Sequence, residues 1–286
     1  MKVALVLGSG GARGYAHIGA IQVLRERGHQ ITAISGSSIG ALIGGLEATS
    51  KLDEYTEWVL GLSQKDVLLM MDPQIGAAGA VRMERVFTKM RELYAGALIE
   101  ELPIPYTAIA TDLVSGREVW FQSGPLETAV RASISIPGVI TPIVESGRLL
   151  VDGGVVNPVP MEPVMAADAD FTLAVSLSGF DPLELGASPV RSTSFFGSLL
   201  SKLRKDDGPA EPPYQEPPSD LSIASITSRS IETMSAVITR YRMASHHPDI
   251  LVTVPHTAAK SLDFHKAAEL IALGRDLTEA ALGAVA

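Results

Sequence analysis

Two glycine-rich turns lie within the first fifty residues, and each separates an aliphatic run of strand length from a helical stretch. Residues 3–7 and 31–34 are the aliphatic runs, and residues 8–14 and 36–40 are the turns that follow them. This alternation of strand, turn and helix predicts parallel strands covered by helices. The chain is therefore expected to have an α/β fold.

The remaining sequence predicts a single domain, 1–286, with one long excursion. Helices are expected over 52–71, 81–98, 126–132, 221–245 and 265–282, and strands over 104–110, 118–121, 149–151, 171–177 and 250–254. Residues 181–220 are rich in Pro and Ser, which predicts a mobile excursion within the fold rather than a boundary between two domains.

Composition excludes several classes of function. The chain has 23 Lys and Arg against 32 Asp and Glu, and this net charge of −9 argues against a general nucleic-acid binder. It has no cysteine, which excludes a disulfide framework, a thiolate nucleophile and cysteine-ligated metals. No stretch is apolar enough to span a bilayer or to act as a secretion signal, so a cytoplasmic protein is expected.

The second turn fits the pattern Gly-X-Ser-X-Gly, with Gly36, Ser38 and Gly40 at its defined positions. Because it follows a strand and opens a helix, its context is that of a nucleophile elbow, which exposes a serine hydroxyl on a sharp turn. Flanking glycines allow such a turn without a Cβ clash. The alternative is a Ser/Gly turn that only caps a helix.

The first turn, Gly8-Ser9-Gly10-Gly11-Ala12-Arg13-Gly14, matches neither the dinucleotide fingerprint nor the P-loop, because the spacing of its glycines and the residues after them are wrong for both. Successive small residues before a helix can instead offer backbone N–H groups to an oxyanion. Arg13 would hold the loop or add positive potential. A loop that serves only packing is the alternative.

Asp152 follows a predicted strand, in the triplet Asp-Gly-Gly. Sites form at strand ends in parallel sheets, and the two glycines allow another loop to approach closely. The carboxylate could then accept a proton from Ser38. An Asp-Gly pair is also a common turn, and that interpretation stays open.

Together these pieces resemble the patatin-like phospholipases, most closely the bacterial members related to neuropathy target esterase. The resemblance extends to 13–19, to 110–112 with 115–116, to 129–138 (A-V-R-A-S-I-S-I-P-G) and to 150–160. Ser9 departs from it, since many relatives have Gly there, but Ser still presents its backbone N–H.

The resemblance implies a three-layer α/β/α sandwich with a mostly parallel central sheet. It also implies a Ser–Asp dyad, with Ser38 as nucleophile, Asp152 as base, and Gly10, Gly11, Arg13 and Gly14 in the oxyanion loop. The implied substrates are fatty-acyl esters in phospholipids or lysophospholipids. Neither a metal nor a cofactor is implied.

Two alternatives remain at this stage. One of the four C-terminal histidines, His246, His247, His256 or His265, could complete a Ser–Asp–His triad, although Ser38 lies early for that fold. The chain could also be a lipid or nucleotide sensor without turnover. His17 lies one turn into the first predicted helix, and its side chain is expected to pack there.

Residues 194–205 have the pattern of an amphipathic helix. One face would carry Phe195, Phe196, Leu199, Leu200 and Leu203, while residues 191–205 contain four basic side chains and no acidic one. Such a helix suits the surface of an anionic membrane, so peripheral contact is predicted there. Packing against the protein's own core is the alternative.

Overall fold

The structure, a computed structural model, describes residues 1–70, 79–81, 84–179 and 223–284. The helices are α1 Tyr15–Glu26, α2 Ile39–Ala48, α3 Leu52–Leu60, α4 Gln64–Met70, α5 Glu84–Tyr94, α6 Leu126–Ser133, α7 Ile223–Ser245 and α8 Ala267–Gly283. The strands are β1 Lys2–Leu7, β2 Gln30–Ser37, β3 Gly79–Val81, β4 Tyr106–Asp112, β5 Arg117–Phe121, β6 Gly138–Ile140, β7 Ile143–Glu145, β8 Arg148–Asp152, β9 Phe171–Gly179 and β10 Ile250–Pro255. The predicted excursion at 181–220, with its amphipathic 194–205 segment, lies outside the described residues.

Eight strands of the described chain form one mixed sheet in the order β10-β9-β1-β2-β4-β8-β7, with β5 also paired to β4. The pairs from β10 to β4 are parallel. The pairs of β4 with β5, β4 with β8 and β7 with β8 are antiparallel. Parallel pairing therefore forms the centre and one edge, and antiparallel pairing forms the other edge.

Side chains of β1 alternate between two apolar layers, as period-2 geometry requires. Leu5 and Leu7 belong to the larger core, which includes buried side chains of α1, α2 and α8. Ala4 and Val6 belong to a second core on the other face, against which Met243 of α7 packs. The three-layer α/β/α fold expected from the sequence is confirmed, with a mixed sheet.

One expectation about topology was wrong. Asp152 was expected at the end of a parallel strand, but β8 runs antiparallel to β4. The direction in which strands pair depends on distant segments, and an aliphatic run ending in Asp-Gly-Gly carries no signal for it. The short strands β6 and β7 also went unpredicted.

The chain divides into two compact units, Met1–Gly179 with Thr233–Ala286, and Phe180–Glu232. The first holds the sheet and all predicted site residues. Of the second, the structure describes Ile223–Glu232, the start of α7. The organisation of 1–286 as one domain stays a prediction. No helix in the described ranges has the length and apolar character needed to cross a bilayer.

Candidate active site

Ser38 occupies a strained turn between β2 and α2. Its backbone has φ 57° and ψ −127°, a region that costs a non-glycine residue about 1–3 kcal/mol. The glycines on either side make the turn possible. A Cβ on Gly36 would lie 2.4 Å from the carbonyl oxygen of Gly40, and one on Gly40 would lie 2.1 Å from that of Leu7. The local geometry is therefore that of a nucleophile elbow.

Strand β4 brings the elbow and Asp152 together. Ser37, the last residue of β2, pairs with Ile109, and Asp152, the last residue of β8, pairs with the adjacent Ala110. Strand β5 pairs with residues 108–112 of β4, and β2 and β8 pair with some of these same residues. Because a residue pairs with only one strand on each side, β5 must lie along the opposite edge of β4 from β2 and β8. Strands β2 and β8 therefore approach along the same edge from opposite directions, and their carboxyl ends meet.

The meeting point holds a hydrogen bond between two buried side chains. The Ser38 hydroxyl donates to Oδ2 of Asp152, and the exposed fractions of the two residues are 3% and 6%. The other carboxylate oxygen, Oδ1, accepts the N–H of Gly154 at 2.7 Å. Both oxygens of the carboxylate are thus oriented by a donor, and one of them faces the serine.

Burial raises the pKa of Asp152 from 3.8 to about 7. Desolvation disfavours the charged carboxylate, and the hydrogen bonds from Ser38 and Gly154 oppose this effect only in part. A carboxylate with a pKa near neutral is a far better proton acceptor for a hydroxyl than an exposed aspartate would be.

The glycine loop after β1 presents two free backbone donors. The N–H groups of Ser9 and Ala12 bond to the carbonyl oxygens of Pro158 and Ser261, at 2.8 and 2.9 Å, so the expectation that Ser9 presents its backbone N–H was wrong. Among the hydrogen bonds of the described residues, none has the N–H of Gly10 or Gly11 as its donor. These two groups are thus available to an oxyanion.

The other two predicted loop residues have packing partners. The Arg13 side chain is 5% exposed, and its Nη1 donates to the carbonyl oxygens of His256 and Ala259, at 3.0 and 3.1 Å. It therefore ties the loop to the segment after β10. Gly14 lies against the elbow helix, since a Cβ there would be 2.2 Å from Cγ1 of Ile39.

An apolar cavity opens at Ser38. The open space at its mouth and inside it together amounts to about 770 Å³, and Gly11 and Ser38 lie on its wall. The rest of the lining comes mainly from apolar and aromatic side chains of helices α1 to α5, the segment after α6, β6 and the segment before α8: Tyr15, Ile39, Leu42, Tyr55, Trp58, Leu62, Val67, Met70, Val86, Ile134, Ile136, Val139, Ile140, Leu262 and Phe264. Such a cavity suits a hydrocarbon chain.

Comparison with known proteins identifies the family. The sequence profile described as "Patatin-like phospholipase" matches residues 5–165. The chain belongs to the patatin-like phospholipase family. The resemblance stated from the motifs is confirmed, and this family of lipid hydrolases supports hydrolysis of lipids as the general activity.

Several relatives are similar over most of this chain. An uncharacterized NTE family protein of Mycobacterium tuberculosis is 43% identical, over 99% of this chain and 92% of its own length. A patatin-like phospholipase domain-containing protein of Caenorhabditis elegans is 33% identical, over 95% of this chain and 20% of its own. A lysophospholipase of Mycosarcoma maydis is 32% identical, over 63% of this chain and 10% of its own.

No histidine side chain of the described residues bonds to Ser38 or Asp152. In the described chain, which includes all six histidines, the side chains of Ser38 and Asp152 bond to each other and to Gly154 but to no imidazole. The Nδ1 of His256 contacts the carbonyl oxygen of Gly179, and that of His246 lies 3.8 Å from Glu162. Within the described ranges, no three His, Asp or Glu side chains cluster in a way that could hold a metal ion.

Two serines that sequence analysis did not single out hold the backbone of the pair. The Ser133 hydroxyl accepts the N–H of Ser38 at 2.9 Å and donates to the carbonyl oxygen of Ile109 at 2.6 Å. The carbonyl oxygen of Ser135 accepts the N–H of Asp152 at 2.9 Å. Both lie within 129–138, a stretch that carries the family resemblance, so the motif itself was the available signal.

We expect Ser133→Ala to lower both stability and turnover. The change leaves the N–H of Ser38 buried without a partner at a strained residue, which should cost about 1–3 kcal/mol of unfolding free energy. Urea denaturation and kcat for an aryl ester measure the two effects. Ser230→Ala, which removes an exposed helical hydroxyl bonded to the carbonyl oxygen of Ile226, is the control. Equal behaviour of the two variants would mean that the Ser133 contact is unimportant.

Proposed function

We propose that this protein is a serine lipid acyl hydrolase that cleaves fatty-acyl esters of phospholipids or lysophospholipids through Ser38 and Asp152. The observation that carries the proposal is the buried hydrogen bond from a serine on a strained elbow to a carboxylate of raised pKa, beside an apolar cavity. Family membership supports the same activity, and one relative is itself named a lysophospholipase.

The proposed reaction has two halves with Asp152 as the proton carrier. Asp152 takes the hydroxyl proton while Ser38 Oγ attacks the ester carbonyl carbon, and the N–H groups of Gly10 and Gly11 bond to the resulting oxyanion. Collapse breaks the ester C–O bond, and Asp152 returns the proton to the leaving alcohol. Water, deprotonated by Asp152, then attacks the acyl-enzyme, releasing the fatty acid and restoring Ser38.

The pair favours esters over amides. An ester releases an alcohol oxygen, which leaves more readily than an amide nitrogen and needs less help from a strong acid. A carboxyl group with a pKa of about 7 can give back its proton to that oxygen near neutral pH. The proposed dyad therefore needs no imidazole to assist the leaving group.

The cavity supplies the proposed specificity for acyl chains. Burying one methylene is worth about 0.8 kcal/mol, which corresponds to about fourfold in kcat/KM when the gain persists in the transition state. We therefore expect kcat/KM to rise with the length of the acyl chain until the acyl chain fills the cavity. A site open only to small esters would show no such rise.

An acyl-length series on a cavity variant tests this proposal. Ile140, 4% exposed, lies in β6 on the cavity wall. We expect Ile140→Trp to fill part of the space, so that kcat/KM for p-nitrophenyl decanoate falls about tenfold or more while the butyrate value changes far less. Val144→Trp, at an exposed position of β7, is the matched control.

The result of the series has two clear readings. A rise with chain length in the wild type that is lost only in Ile140→Trp supports an acyl-binding cavity. Equal loss for the butyrate and decanoate esters, in a variant whose thermal unfolding matches the wild type, would contradict it. The absence of ester turnover in the wild type would contradict the proposed function as a whole.

A further inference from the structure

We infer that His17 is a positioning residue for the oxyanion loop, holding the carbonyl group of Gly8 so that the next two peptide groups can present their N–H donors. The inference rests on the proposed function and deepens it. His17 lies on α1, away from the reacting atoms, and would act only through the loop.

The contact defines the state of the imidazole. His17 is completely buried, and its Nε2 lies 2.8 Å from the carbonyl oxygen of Gly8. Because a carbonyl oxygen only accepts hydrogen bonds, Nε2 must carry the hydrogen. Burial lowers the pKa of His17 to about 4, so the ring is neutral at neutral pH and Nδ1 has no hydrogen.

Packing alone does not explain an imidazole at this position. Nδ1 is buried and has no hydrogen-bond partner among the described residues. An unsatisfied buried nitrogen is unfavourable, and an aliphatic side chain of similar size would avoid it. The feature that an aliphatic side chain could not provide is the donor to Gly8.

The imidazole N–H of His17 bonds to the last peptide group in the loop that is held at both its C=O and its N–H, directly before the two free N–H groups. In the peptide group joining Gly8 to Ser9, the C=O accepts from His17 and the N–H donates to Pro158. The N–H of Gly8 is also held, by the carbonyl oxygen of Val175 at 3.0 Å. The next two N–H groups, of Gly10 and Gly11, are the free donors.

Loss of the His17 contact would free the C=O of this peptide group, which would then be held only by the bond from its N–H to Pro158. Gly8, on one side of this peptide group, offers little resistance to rotation of the peptide plane. The two donors would then have to be oriented during the reaction, which removes part of the benefit of a preorganised oxyanion hole. The loss should appear in kcat, because the oxyanion forms only in the transition state.

The test compares side chains of different reach at position 17. His17→Leu keeps the bulk without a donor, and His17→Gln keeps a side-chain N–H of comparable reach. We expect kcat for p-nitrophenyl butyrate to fall about 10- to 100-fold in His17→Leu, less than for loss of a direct donor, with KM nearly unchanged. His17→Gln should recover most of the loss, and Ser230→Ala, at an exposed position of α7, is the control.

Folding is checked by circular dichroism and thermal unfolding. If His17→Leu does not fold, His17→Asn, which is polar but too short to reach Gly8, replaces it. A folded donor-free variant with wild-type kcat would overturn the inference, and so would the failure of every variant to fold, which would assign His17 a purely structural role. If the wild type itself neither hydrolyses esters nor reacts with a fluorophosphonate, the proposed function fails and the inference fails with it.

Discussion

Ser38→Ala should lower kcat for a short-chain aryl ester by about 10⁴- to 10⁶-fold, the range seen when a serine nucleophile is removed from a hydrolase. The oxyanion donors and the cavity remain, so a small residual rate above that of water is expected. Covalent labelling by a fluorophosphonate should disappear completely, because no oxygen remains to attack phosphorus.

The neighbouring serine provides a matched control. Ser37 is also fully buried, and its hydroxyl has no hydrogen-bond partner in the described chain. Ser37→Ala should therefore keep labelling and most of the turnover. Labelling of Ser38→Ala at the wild-type rate would contradict the assignment of the nucleophile. Lack of labelling in the wild type would instead favour a lipid or nucleotide sensor on the same fold.

Asp152→Asn should lower kcat by about 10⁴-fold, because the amide keeps the shape of the carboxylate but cannot accept the serine proton. The variant should not be less stable than the wild type at pH 8. The pKa of Asp152 is raised in the folded state, so its stabilising contribution is full below pH 3.8 and is lost as the pH rises through about 7. Asparagine avoids this loss, and thermal unfolding against pH measures it.

The same pKa predicts the pH profile of the wild type. Asp152 must be ionised to act as the base, so kcat/KM should rise with pH and level off with an apparent pKa of about 7. Because carboxyl ionisation has a small enthalpy and imidazole ionisation a large one, this pKa should move little with temperature. A large shift with temperature, or loss of the acid limb in His246→Gln, His247→Gln, His256→Gln or His265→Gln, would replace the dyad with a triad.

Local signals predicted the first fifty residues well. The strand predicted at 3–7 is β1, the strand at 31–34 is part of β2, and the elbow helix begins at Ile39. Aliphatic runs, glycines and helical spacing are properties of neighbouring residues, so a sequence displays them directly. The same signals placed Ser38 at the elbow and Asp152 at the end of a strand.

Properties that depend on distant segments were not predictable in this way. The antiparallel direction of β8 follows from pairing with β4, some forty residues earlier in the chain. The Arg13 guanidinium bonds to carbonyl oxygens near the C-terminus, more than two hundred residues away. The hydroxyl of Ser133 accepts the N–H of Ser38, which lies 95 residues earlier in the chain.

The sequence by itself determined the α/β class, the strained serine turn, the glycine loop and the Asp-Gly-Gly triplet, because each of these depends on residues that are neighbours in the sequence. Only the tertiary structure decided that the carboxyl ends of β2 and β8 meet on one edge of β4, which brings Ser38 to Asp152. It also decided the chemistry of that pair. The pKa of Asp152 is raised because folding removes water from its carboxyl group, and desolvation is a property of the packed protein rather than of any residue in the chain.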